Sequence, residues 1–151
     1  MNPPQRKFLP HDVPAWVSQG ASFFITISCQ ARETNQLCKD KIAEGLFETV
    51  AHRQKSGEWW VRLFLLMPDH CHALLSFAPE VIIRDSLANW KRYAARQFGI
   101  EWQRDFFDHR IRNHENLDEK AHYIRMNPVR KGLCEKPDEW RYVWSFKDFS
   151  G

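Results

Sequence analysis

Strand, helix, two strands, helix and a further strand, in that order along 151 residues, predict an α+β domain: a ferredoxin-like (RRM-like) antiparallel sheet with helices on one face. Runs of β-branched, aromatic and aliphatic residues mark the strands, and apolar stripes at helical spacing mark the helices. Glycine and proline punctuate the boundaries. An N-terminal arm (residues 1–20) and a Trp-rich tail (131–151) flank this unit, and the chain 1–151 is read as a single domain because its length is near the usual domain size.

The arm carries Pro3, Pro4, Pro10 and Pro14, which do not fit helix interiors or central strands, so it is read as irregular; Arg6, Lys7, His11 and Trp16 lie in it. Ser22 to Cys29 (SFFITISC) reads as a buried first strand. From Asp40 to Lys55, Ile42, Leu46, Phe47, Val50 and Ala51 form a helical stripe, and Gly57 stands beyond as a stop. Trp59–Met67 and His70–Phe77 read as a hairpin interrupted at Pro68-Asp69. Val81 to Phe98 repeats the helical pattern with Ile82, Ile83, Leu87, Trp90, Ala94 and Phe98, leaving Arg84, Lys91, Arg92 and Arg96 for the outer surface. Gly99 ends that helix. A weak fourth strand falls around Phe106 to Ile111. Asn116 followed by Glu119 resembles a capping pair that starts a third helix through Leu117, Ala121 and Ile124. Pro128 then stops it near Asn127, whose own backbone is expected to be extended. Trp140 and Trp144 are read as pinning the tail by aromatic burial.

Composition narrows the function. Lys and Arg number 22 against 19 Asp and Glu, a net charge of +3 that only weakly favours a polyanionic partner. No apolar run reaches the ~20 residues of a membrane span and no signal-peptide pattern opens the chain, so a cytoplasmic protein is expected. The cysteines Cys29, Cys38, Cys71 and Cys134 form no C-x-x-C pair, which argues against a zinc ribbon and for free thiols. The glycines are too far apart for a G-x-G-x-x-G or Walker-type phosphate loop, excluding nucleotide chemistry of those kinds.

The sharpest chemical feature is Met67-Pro68-Asp69-His70-Cys71-His72. Alternate residues of a strand share a face, so His70 and His72 present two imidazoles side by side, a bidentate metal chelate, while Cys71 points toward a core. A chance His-x-His on a solvated strand has the same pattern. Tyr123 and Asn127 stand four apart near the end of the third helix, on one face if the helix persists. A core tyrosine and a C-terminal cap would look the same. Together, two imidazoles and an amide oxygen can hold a divalent cation with positions open for phosphate oxygens, and a phenol beside them is a nucleophile for phosphodiester transesterification.

The stretch MPDHCHALLSF, the later YIRMNPVRKGL and the terminal EWRYVWSF resemble the REP-associated tyrosine transposases, relatives of the insertion-sequence single-tyrosine transposases in the His-hydrophobic-His superfamily of single-strand endonucleases. FFITISCQAR with Asn35-Gln36-Leu37, ANWKRYAARQFG, and WQRDFFDHRIR extend the resemblance over almost the whole chain in the family's order. It implies that His70, His72 and Asn127 hold Mg²⁺ or Mn²⁺, although imidazoles also suit Zn²⁺, and that Tyr123 attacks a single DNA strand to leave a 5′-phosphotyrosine and a free 3′-hydroxyl. Cys71 departs from the bulky aliphatic usual between the histidines and would put an oxidisable thiol beside the site. The implied partner is single-stranded or hairpin DNA of the repetitive palindromic kind, with no nucleotide cofactor, and the protein is a monomer or a homodimer.

Candidate DNA contacts are Lys91, Arg92 and Arg96 on the second helix, then Trp102, Arg104, Arg110 and Arg112, whose segment with Phe106 and Phe107 mixes aromatic and basic residues as single-strand grooves do. Arg125 and Arg130 flank the end of the third helix. Asp108 and His109 are read as a buried hydrogen-bonded pair. Two other functions stay open: a non-catalytic module binding hairpin DNA or RNA, and a small metallohydrolase in which His70 and His72 hold zinc and activate water.

Overall fold

The computed structural model describes residues 14–112 and 114–145. Residues 1–13, with Arg6, Lys7 and His11, and 146–151 lie outside the described residues. The elements are α1 (Ala15–Gln19), β1 (Ser22–Ser28), α2 (Asp40–Ser56), β2 (Trp59–Met67), β3 (His70–Phe77), α3 (Ile83–Phe98), β4 (Phe107–Ile111), α4 (Leu117–Arg125), α5 (Asn127–Arg130), a 3₁₀ turn (Pro137–Glu139) and β5 (Val143–Ser145). The strands form one antiparallel sheet in the order β4-β1-β3-β2-β5, the first four in ferredoxin-like order. Among the described residues, no helix is long and apolar enough to cross a membrane.

β3 is central and all eight of its residues are buried. The β2–β3 hairpin has the bounds its apolar runs predict, and its register sets Met67 opposite His70 and Leu65 opposite His72. Gly57 and Gly99 end α2 and α3 with positive φ (85° and 70°), the left-handed geometry that glycine adopts without steric cost.

The main core lies on one face, where Leu46 and Val50 of α2 and Leu87, Trp90 and Ala94 of α3 pack on Ile25, Ile27, Phe64, Leu66, Cys71 and Leu75. The other face is not bare, which corrects the expectation of helices on one face only. α4 packs there, with Ile124 fully buried against Leu63, Leu65, Met67 and Leu74. Its apolar stripe is narrower than those of α2 and α3, with Ile124 fully buried and Leu117 and Ala121 partly so, and the second sheet face is the apolar surface left to meet it.

Three local expectations change. The arm's last residues form α1, because Pro14 supplies a fixed φ at the helix entrance. The tail adds β5 beside β2, too short at three residues to register as a strand pattern. Asn127 is not extended. Pro128 has no N–H to continue the α4 ladder, yet it suits the first turn of a new helix, so α5 opens at Asn127 and the bond from Arg130 N–H to Met126 O (2.9 Å) restores helical pairing. The tail tryptophans do pin it: Trp140 Nε1 donates to Leu66 O (3.0 Å) and Trp144 is buried in the main core.

Trp90 is the hub of that core, fully buried against Trp59, Phe64 and Trp102, with Nε1 donating to Thr49 Oγ1 at 2.8 Å. Trp90→Ala is expected to cost about 3–5 kcal/mol of stability, read as a lowered urea midpoint; a loss below about 1 kcal/mol would contradict this packing.

Candidate active site

The hairpin turn that presents the histidines is held from outside. Pro68 O accepts the N–H groups of Gln36 (2.8 Å) and Leu37 (3.1 Å), and Asp69 O accepts that of Cys29 (2.8 Å). Asn35, whose side chain bonds Cys38 N–H (2.8 Å), shapes the loop that makes these contacts. Beyond the turn, strand alternation sets His70 and His72 on one face with ring centroids 4.8 Å apart.

Both rings commit Nδ1 to the protein. His70 Nδ1 lies 2.7 Å from Asp69 Oδ1, and Asp69 also accepts from Arg32 Nε (2.9 Å) and Glu33 N–H (2.6 Å). An ionised carboxylate only accepts, so the His70 proton sits on Nδ1 and Nε2 carries the lone pair. His72 Nδ1 lies 2.9 Å from Thr26 Oγ1 on the neighbouring strand. Asp69, Arg32 and Thr26 are supporting residues that sequence reasoning missed; only Asp69, inside the histidine motif, carried a local signal.

Electrostatics agrees with neutral rings. Burial lowers the His70 pKa, and Arg32 and Lys131 lower it further, against the pull of Asp69. Burial pushes the His72 pKa down to about 3, with His70 and the Arg130 guanidinium each disfavouring a charge on its ring. Burial raises the Asp69 carboxyl, but Arg32, the Glu33 N–H and His70 outweigh it and hold the group well below the usual carboxylate range. Neutral imidazoles with oriented Nε2 atoms, one backed by a carboxylate, fit a divalent cation. Among the described residues no three His, Cys, Asp or Glu side chains are grouped for a metal. Asn127 opens α5, the turn whose Arg130 and following Lys131 act electrostatically on the two histidines. A cleft of ≈ 650 Å³ lies beside His70, lined in part by Arg32, Asn35 and Lys131.

Tyr123 sits on α4, which starts as predicted: Asn116 Oδ1 accepts the N–H groups of Asp118 (2.7 Å) and Glu119 (3.2 Å). The residue is 53% exposed and its ring meets Phe24 edge-on at 6.2 Å; Phe24 in turn meets His72 at 5.5 Å. Arg130 bridges the α4–α5 break, with its guanidinium carbon 4.3 Å from the Tyr123 ring centre and Nη2 donating to Tyr123 O (3.0 Å). The other tyrosines are elsewhere: Tyr93 lies on α3 across the sheet, and Tyr142 donates its hydroxyl to Asp40 (3.0 Å).

The structure brings His70, His72, Tyr123, Asn127 and Arg130 to one side and separates them from most other candidates. Lys91 is not a surface cation: it is buried, and Nζ donates to Gln103 O (2.8 Å) and Arg104 O (3.0 Å). Those carbonyls satisfy a charge that the flexible lysine stem carries under the loop. Trp102 is no stacking platform either, since it is buried with Nε1 donating to Lys91 O (3.0 Å). Arg92, bonded to Asn89, and Arg96 are exposed on α3, across the sheet from the histidines. Arg104 and Arg110 are exposed, and the register sets Arg110 opposite Phe23, on the α3 side. Arg112 is exposed just past β4, and Arg125, half-buried, ends α4.

Asp108 and His109 do not pair, because adjacent strand residues face opposite ways; His109 bonds Glu115 (3.0 Å) instead. Cys71 points away from the histidines into the main core, and burial pushes its thiol far up, so it is an inert packing residue rather than an oxidisable neighbour. All four cysteines are free.

Comparison with known proteins gives a consistent set of relatives. The family model described as "Transposase IS200 like" matches residues 22–127. A REP-associated tyrosine transposase of Escherichia coli is 23% identical, over 86% of this chain and 79% of that one. A Haemophilus influenzae protein provisionally named in the same way is 27% identical, over 87% and 83%. Among solved structures, a REP-associated tyrosine transposase bound to a REP hairpin superposes with a TM-score of 0.69 at 20% identity, covering 95% of this chain and 82% of that one. A Deinococcus radiodurans structure provisionally described as a transposase gives 0.51 at 18% identity, over 68% and 87%. At these identities the structural likenesses establish the fold.

The depressed pKa of His72 has a measurable consequence. The folded state keeps the ring neutral while the unfolded chain takes up a proton below its ordinary 6.5, so the contribution to stability is present above 6.5 and is lost as pH falls toward about 3. In metal-free protein, stability measured by urea unfolding is expected to fall more steeply across that window for the wild type than for His72→Gln. Equal slopes would contradict a buried neutral His72.

Proposed function

The chain belongs to the IS200-like transposase family, and on that premise we propose that it is a metal-dependent single-stranded DNA endonuclease and strand transferase acting on hairpin-forming repetitive palindromic DNA through a 5′-phosphotyrosine intermediate. The observation that carries this reading is the pair of tethered imidazoles and the half-exposed phenol on one sheet face, linked through Phe24. The REP hairpin bound by the structural relative supports the substrate class.

His70 and His72 would hold Mg²⁺ or Mn²⁺ through Nε2, with Asn127 completing the protein's share of the ligands. When bound, the cation supplies Lewis acidity toward the phosphoryl oxygens of the scissile group. Asp69 and Thr26 keep both rings oriented, and the desolvation that makes them neutral removes competition from protons. Tyr123 Oη forms a bond to phosphorus as the bond from phosphorus to the 3′ oxygen breaks; the phenol loses a proton and the released 3′ oxygen gains one. Nothing is oxidised and no nucleotide is consumed, so the 3′-hydroxyl can attack the phosphotyrosine and rejoin strands. A phenol with a reference pKa of ~10 is a weak nucleophile, and Arg130 against its ring supplies positive charge where phosphate arrives. The exposed Arg112, just past β4, and the half-buried Arg125, at the end of α4, are the arginines offered to DNA on this side, whereas Arg92, Arg96, Arg104 and Arg110 would reach only DNA that extends around the sheet.

The test incubates the full chain with labelled single-stranded hairpin oligonucleotides and Mn²⁺ or Mg²⁺, followed by a denaturing gel. A slow-migrating covalent adduct is expected that needs metal and falls at least ~10³-fold in Tyr123→Phe and in His70→Ala. Cleavage that survives Tyr123→Phe without adduct would replace this reading with metal-activated water, and tight binding with no cutting would replace it with a binding module.

A further inference from the structure

We propose that Phe107 is a stacking platform for one unpaired nucleobase next to the phosphate that Tyr123 attacks, a proposal that rests on the function above. Phe107 is a large apolar side chain left 59% exposed. The aromatics near it in sequence are accounted for otherwise: Trp102 is buried in the main core and Phe106 packs against it.

The register places Phe107 in the chemical row of the sheet. It pairs with Thr26 and Thr26 pairs with His72, so Phe107, Thr26 and His72 follow one another across β4, β1 and β3 on the same face. Two strand spacings of about 4.8 Å separate Phe107 from His72, a span that one nucleotide can bridge from phosphate to base. Phe24 ties the group together, meeting Phe107 edge-on at 6.4 Å as it meets His72 and Tyr123. The Phe24 edge contact leaves Phe107 largely uncovered.

The surroundings select the occupant. Arg130 lies on the Tyr123 ring and Lys131 lines the cleft beside His70, so positive charge suited to a nucleic-acid backbone lies at the phenol and the histidines, where the phosphate of a base stacked on Phe107 would sit. Every base has a π face, so stacking on a phenyl ring gives affinity without requiring one sequence. A base held here is splayed from its neighbours, which favours single-stranded over paired DNA around the scissile phosphate.

The experiment places 2-aminopurine at successive positions of the single-stranded flank of a hairpin oligonucleotide and follows its fluorescence on binding, in a Tyr123→Phe background so that the strand stays intact. Strong quenching is expected at one position, retained in Phe107→Trp and lost in Phe107→Ala and Phe107→Leu, with affinity for the flanked hairpin about ten-fold weaker in Phe107→Ala. Leu keeps apolar bulk, so its failure to quench separates stacking from packing, and urea midpoints verify that each variant folds. Quenching unchanged in Phe107→Ala would overturn the proposal. So would unchanged quenching together with a shift from dimer to monomer in Phe107→Ala, which would make this edge a contact between copies of the chain. Phe107-dependent quenching by a protein whose wild type forms no covalent adduct would support the platform while removing the endonuclease reading; adduct formation with quenching indifferent to Phe107 would remove the platform alone.

Discussion

Along β3, successive side chains leave opposite faces of the sheet, so His70, His72 and Leu74 face α4 while Cys71, Ala73 and Leu75 face α2 and α3. Because the strand is central and buried throughout, a register slip of one residue would drive two imidazoles into the main core and expose its aliphatics. The same alternation that fixes the core thus fixes the chemistry. Neighbouring strands inherit the constraint: Thr26 and Phe24 on β1 and Phe107 on β4 fall on the histidine face by pairing alone.

The remaining elements tune what β3 presents. The loop after β1 closes over the Pro68-Asp69 turn and brings Arg32 to Asp69, turning a bare His-x-His into a ring pair with a defined lone pair. The proline break between α4 and α5 does comparable work on the other side. Across that break Arg130 lies over Tyr123, its guanidinium on the ring and its Nη2 donating to the Tyr123 carbonyl.

The hairpin, α2, α3 and the first strand were legible in the sequence because long apolar runs and glycine stops are local signals. The side-by-side histidines were legible for the same reason, since a period of two is a property of any strand. What the sequence hid was tertiary. Lys91 and Trp102 look like surface basic and aromatic residues, and only the packing of the residue 99–106 loop on α3 shows them bonded to each other's segments. Asp108 beside His109 suggests a pair until strand geometry sends them apart. The three-residue β5 is defined by its neighbour β2 rather than by its own pattern. The supports of the site, Arg32 and Thr26, lie some forty residues from the histidines in sequence, and no local rule connects them.

On the proposed function, the histidine face and the Tyr123 face are one site. Mapping the covalent link tests it most directly: the protein–oligonucleotide adduct is digested and the nucleotide-bearing peptide sequenced by mass spectrometry. The chain has three tyrosines, and only Tyr123 shares the histidine face. All modification is expected on Tyr123. Modification of Tyr93, across the sheet, or of Tyr142, bonded to Asp40, would contradict it.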